Sequence, residues 1–270
     1  MAYASFGKNG KPVRERQLTE NGMSEGRAIA KIYGYMGIGL LITGVIAFLF
    51  AWLISGHVNS LMNESGVFDP DKIDLAEGWI LFMFGAWIVS AIAILVLSFV
   101  IPIRAALSGK SLWVPYILYA IFMGVLLSAV LLAGVPFYLI GEAFAVTSLA
   151  FGAMFLIGWF SKKNLSVLLF IAMGLFFGVI IATLIGVVTF LVRGGSTEGR
   201  FWFDVIIQGV MIIVVMLITA FDTWRIKRIV ARAGESSNIY LYCAFVMYTD
   251  FITLLLRILA LLSKLQGHNN

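Results

Sequence analysis

Two aspartates stand in segments where an aspartate is costly. Asp250, in Tyr248-Thr249-Asp250-Phe251, falls midway along an apolar run over residues 239–262. Eleven residues separate it from the start of that run, about 16 Å of helix. An aspartate side chain is too short to reach water from that depth. An ionisable group in lipid costs several kcal/mol unless it is paired, hydrated or protonated, so Asp250 is expected to face the interior of a helix bundle. Two readings of it stay open: a hydrogen-bonded packing group, or a group that handles ions or protons. Asp222, in Ala220-Phe221-Asp222-Thr223-Trp224, lies just inside the end of the preceding apolar run. Arg257 follows Asp250 by two helical turns on nearly the same face. It either offsets the Asp250 charge or reaches outward to the interface. Gln208 and Thr253 are placed to add oxygen ligands or hydrogen bonds to the same interior, whereas Glu142 and Asp204 lie at span ends within reach of water.

Other chemistries find little support. The two histidines are His57, in a loop, and His268, near the C-terminus. Neither is placed as a base for intramembrane hydrolysis, and no His-Glu metalloprotease pattern occurs. A retinal-type Schiff base would need a mid-helix lysine in the last span, but Lys264 lies past its end. A single cysteine, Cys243, excludes an intramolecular disulfide and a cysteine-cage metal site. The protein is therefore expected not to be an enzyme and to carry no cofactor. The acidic segment over 56–78 includes Asp69-Pro70-Asp71 and Asp74 but lacks the glycine and closing glutamate of an EF-hand. It reads as a solvated loop that attracts cations weakly.

The elements that must position these residues follow from composition. Of 270 residues 61% are hydrophobic, while 19 are basic and 14 acidic. A soluble domain of this length would carry roughly 65 charged residues. The mean hydropathy is +1.00. A water-soluble globule is excluded, because a small fold cannot bury this much hydrocarbon. Seven runs are long enough to cross a bilayer as helices: 31–55, 79–102, 113–134, 142–160, 165–192, 202–225 and 239–262. Residues 1–30 form a polar N-terminal tail without a signal peptide, expected to be a flexible or partner-binding segment, and 263–270 form a short C-terminal tail. Lys8, Lys11, Arg14, Arg16, Arg27, Lys31, Arg104, Lys110, Lys162, Lys163, Arg225, Lys227, Arg228 and Arg232 fall on one side of this layout. Lys72, Arg193, Arg200 and Lys264 fall on the other. That bias places the N-terminus in the cytoplasm, and an odd helix count places the C-terminus outside. The net charge of +5 thus reads as an orientation signal and not as a nucleic-acid surface. Gly174, Gly178, Ala182 and Gly186 form a small-residue stripe that is expected to admit a neighbouring helix closely. Trp79, Trp113, Trp159, Trp202 and Trp224 sit near span ends as interfacial belt residues.

Several segments resemble the Bax inhibitor-1 family, in its bacterial-type form. Glu142-Ala143-Phe144-Ala145-Val146-Thr147 through Phe151 to Ser161-Lys162-Lys163-Asn164-Leu165-Ser166 is similar to the family's fourth helix and its basic exit. Gly124-Val125-Leu126-Leu127-Ser128 looks like its Gly-Leu-Ser segment. Phe221-Asp222-Thr223 with Ile226-Lys227, and Tyr248-Thr249-Asp250-Phe251-Ile252, resemble its two aspartate motifs. The resemblance covers about residues 30–262. It implies an all-α membrane bundle of six helices around a central seventh. It also implies a pH-dependent calcium leak in which Asp222 and Asp250 share a proton or separate as the pore opens. Where relatives have a basic cluster ending the second helix, this chain has Arg104 alone, and Thr253 stands where the family has asparagine. Relatives carry their arginine further along than Arg257.

If the two carboxylates meet, they cannot both ionise cheaply in a low dielectric, so one proton is shared. Low pH then favours the linked pair. High pH charges both and drives them apart or onto a cation, for which calcium's taste for oxygen suits it as a transient ligand of Asp222 and Asp250. By residue counting Asp250 lies deeper than Asp222, and contact requires the sixth helix to continue past Arg225 or the seventh to begin in a wet vestibule. The competing expectation is a non-conducting regulator that binds a membrane protease or a cell-death protein. The surroundings are the lipid bilayer, most simply a bacterial cytoplasmic membrane.

Overall fold

A computed structural model describes residues 13–60, 73–107, 111–193, 197–233 and 237–269. Among them the chain is helical throughout: α1 (Val13–Ser60), α2 (Ile73–Ala106), α3 (Trp113–Leu132), α4 (Phe137–Phe160), α5 (Ser166–Arg193), α6 (Thr197–Ala233) and α7 (Ser237–Asn269). All seven carry a stretch long and apolar enough to cross a membrane. With no water in the hydrocarbon to satisfy a peptide group, the intrahelical ladder is what lets each stretch reside there. The chain is a multi-pass integral membrane protein.

The ends of the helices have local causes. Gly134, at φ +75°, follows α3 and takes the left-handed conformation that a Cβ disfavours. Pro136, extended at φ −60° and ψ 139°, then starts α4 at Phe137, earlier than the expected 142. Asn164 accepts the Ser166 amide at 3.1 Å and opens α5. Several helices outrun their apolar runs, and α7 continues to Asn269 through residues 263–269, read from sequence as a tail. α1 begins at Val13, so residues 13–30, read from sequence as a tail, continue the first helix. α6 continues past Arg225 to Ala233 because Ile226 and Val230 remain buried between its charged residues. The acidic residues Glu64, Asp69 and Asp71 lie outside the described residues.

α7 is the most buried span: half of it is covered, against 11% of α5. It packs on α1, α2, α3, α4 and α6, whereas α5 packs on α6. Two close approaches depend on glycine. A Cβ at Gly124 of α3 would lie 2.8 Å from the Thr43 carbonyl of α1, and one at Gly158 of α4 would meet the Ala220 carbonyl and lie 2.7 Å from Thr223 of α6. Gly158 thus draws α4 against the segment that carries Asp222. The α5 stripe is used differently from the expectation. Gly186 meets the Phe203 ring, while Gly174 and Gly178 face open space, because α5 has one helical neighbour and turns that face away from it. Trp224 also departs from a belt position: it is buried, with the Arg228 guanidinium 3.7 Å above its ring.

A buried polar tie joins α1, α3 and α7. Thr43 Oγ1 donates to the Ala120 carbonyl at 3.1 Å, which leaves the Tyr248 hydroxyl to donate to Thr43 at 2.6 Å. Thr43→Val should therefore strand a buried phenol and cost about 1–3 kcal/mol. Adding Tyr248→Phe removes the stranded donor, so the double variant should recover most of that loss. Thermal unfolding of the four proteins in detergent measures the cycle, and additive losses would contradict it.

Candidate functional site

α6 and α7 run antiparallel, and their polar side chains pair in one consistent register. Lys264 Nζ meets Asp204 Oδ2 at 2.7 Å, and Arg257 Nη1 donates to Gln208 Oε1 at 3.3 Å. Further along the same seam the Thr219 hydroxyl is hydrogen-bonded to the Asp250 carboxyl, and Asp222 is the acidic group acting on it. The extension of α6 settles the depth mismatch found in sequence. Asp222 lies about 16 Å from the Ala233 end of α6 and Asp250 about 20 Å from the Ser237 start of α7. The two carboxylates therefore sit at nearly the same level of adjoining helices.

Their surroundings differ: one carboxyl oxygen is buried without a partner, and the other acid lies beside a base. Asp250 Oδ2 is buried with no hydrogen-bond partner. Asp222 is half-buried and feels the charge of Arg225, three residues on and exposed. Thr219 donates to the Val215 carbonyl at 2.9 Å, and Thr223 donates to the Thr219 carbonyl at 2.9 Å, so both hydroxyls are fixed on α6. The oxygens assembled here are two carboxyl groups and a hydroxyl, fewer than the six to eight that calcium takes. Among the described residues no group of three or more His, Cys, Asp or Glu could hold a metal ion. Such a donor set suits an ion in passage, completed by water, better than a resident one.

The remaining candidate residues are placed elsewhere. Arg104 is exposed in the last turn of α2. Thr253 is exposed and donates to the Thr249 carbonyl of its own helix at 2.7 Å. Arg257 neither pairs with Asp250 nor reaches the interface alone: it turns across the seam to Gln208. Thr219 escaped the sequence reading, although its position one turn before Asp222 puts it on the same face of α6. The Asp204–Lys264 pair escaped it too, because a pair between helices is visible only once their register is known.

Two acids on adjoining membrane helices, one with a buried carboxyl oxygen, define a membrane protein with an intramembrane acidic site. The family model described as "Inhibitor of apoptosis-promoting Bax1" matches residues 26–267, and the chain belongs to the Bax inhibitor-1 family. It is similar to inner membrane protein YbhL of Escherichia coli strain K12, at 29% identity over 239 residues, covering 86% of this chain and 88% of that one. It is also similar to the uncharacterized protein RP147 of Rickettsia prowazekii, at 29% identity over 247 residues, covering 88% and 89% of the two chains.

An acid whose buried oxygen lacks a donor is stable while it holds a proton. As pH rises and the proton leaves, a second negative charge appears beside Asp222 and stability falls. The thermal midpoint of the protein in detergent should therefore be lower at alkaline than at acidic pH. Asp250→Asn, which cannot ionise, should flatten that drop; an unchanged slope would show that these groups do not carry it.

Proposed function

We propose that this protein is a pH-sensitive calcium leak channel gated by protonation of the Asp222–Asp250 pair. The observation that carries the reading is the buried, donor-free Oδ2 of Asp250 beside a second acid at the same depth. A carboxylate oxygen buried without a hydrogen-bond donor is costly to ionise, so a proton is its cheapest neutraliser. The Thr219 hydroxyl, also held to the Val215 carbonyl of its own helix, is the other polar neighbour of the Asp250 carboxyl. In the closed state the pair holds one proton and α6 and α7 stay together. Loss of that proton puts two charges in contact, which separates the helices or draws in a divalent cation from water.

The basic residues gathered on the N-terminal side orient the protein with its N-terminus in the cytoplasm, and similarity to an Escherichia coli inner membrane protein supports a bacterial cytoplasmic membrane. The reading is of a conduit and not an enzyme, since His57, in the last turn of α1 and not in the expected loop, meets the Trp79 ring edge-on, and His268 lies in the last residues of the sequence. A second reading, a regulator acting through a membrane protease or a cell-death protein, is favoured by the family description, which names an action on a partner.

Reconstitution separates the two. Purified protein in liposomes loaded with a calcium dye should leak calcium, more at pH 8 than at pH 6. Asp222→Asn with Asp250→Asn should abolish that difference. Retention of the pH dependence by the double variant would discard the gate, and absence of calcium flux from the wild type would favour the regulator.

A further inference from the structure

Two regions flank α7 between Asp250 and its C-terminal end, and they differ in polarity. One is a cavity of about 300 Å³ bounded by α1, α3, α4 and α7, with Leu127, Ile140, Phe144 and Leu255 on its walls. Its one hydroxyl, Thr43, is already committed to Ala120 and Tyr248. A cation would lose its hydration there and gain no ligand. The other region is the α6–α7 seam. Beyond Asp250 it is closed by the buried Met211, Val215 and Leu254, and it then reaches Arg257, about 10 Å along the helix.

The charges on that seam do not cancel. Asp204 is neutralised by Lys264. Arg257, half-buried two turns nearer the aspartates, meets a neutral amide and not a carboxylate. Glu142 of the neighbouring α4 is exposed. A guanidinium stays protonated at any physiological pH, so this positive charge is permanent.

We infer that Arg257, held in place by Gln208, is a selectivity residue: a fixed positive charge on the outer approach to the Asp222–Asp250 site that restrains divalent cations more than monovalent ones. The inference rests on the channel reading above. Coulomb energy scales with the charge of the passing ion, so a barrier of given potential acts twice as strongly on calcium as on potassium. Removing the charge should therefore raise calcium flux by the square of the factor by which it raises potassium flux: about threefold for potassium implies about tenfold for calcium.

The test is paired calcium and potassium flux from liposomes at pH 8. Arg257→Gln should raise both fluxes with that squared relation, while Arg257→Lys, which keeps the charge, should hold the calcium-to-potassium ratio. Gln208→Glu carries the same test with the arginine in place, since a carboxylate partner neutralises the charge without removing the side chain. It should shift the ratio in the same direction as Arg257→Gln. Equal factors for the two ions, or an unchanged ratio in both Arg257→Gln and Gln208→Glu, would overturn the inference while leaving the aspartate gate standing. A wild type that passes no calcium would overturn both.

Discussion

A carboxyl group inside a bilayer must be neutralised, and the arrangement of α6 and α7 answers that requirement. Asp250 is placed at mid-span, one of its oxygens has no hydrogen-bond partner, and the adjoining helix offers another acid and the Thr219 hydroxyl. Among the described residues no base is paired with Asp250. The exposed Arg225 acts on Asp222, so the two acids are inequivalent: one lies beside a base, the other beside a hydroxyl and a second acid. Pairs of titratable groups held in unlike environments divide their protons unequally, which is the physical basis for a state that changes with pH.

Holding these residues together takes contacts well away from them. Gly158 lets α4 press against the Asp222 segment. The Thr43–Tyr248 hydrogen bond fixes α7 two residues before Asp250. Lys227 reaches from α6 to the Trp159 carbonyl at 2.8 Å, satisfying a helix-terminal acceptor of α4 and covering the Trp159 ring. Each ties a different partner helix to α6 or α7, so the level of the two aspartates is set by the bundle and not by the pair alone.

The seven spans were legible because a run of about 20 apolar residues has few alternatives to a membrane helix. The two aspartates were legible because their burial has a large cost wherever the helices turn. What could not be read was anything that depends on where a helix stops or which neighbour it faces. Hydropathy breaks at Arg225, yet α6 runs on to Ala233 on the strength of Ile226 and Val230, and that extension brings Asp222 level with Asp250. The partner of Arg257 depends on the α6–α7 register, which no local pattern encodes. The α5 stripe had the spacing of a packing face, but spacing does not say whether a second helix is there to use it.

The pattern of helix contacts divides the molecule in two. α1, α2 and α3 pack among themselves, as α5 and α4 pack on α6, and α7 is the element that joins the sets, helped by a small contact between α1 and α6. Between α3 and α4 lies the apolar cavity, and elsewhere on these helices Tyr33 of α1 meets Phe155 of α4 edge-on. A gap without packed atoms has little cohesion to lose, so the two halves can tilt against each other there more cheaply than across any other boundary.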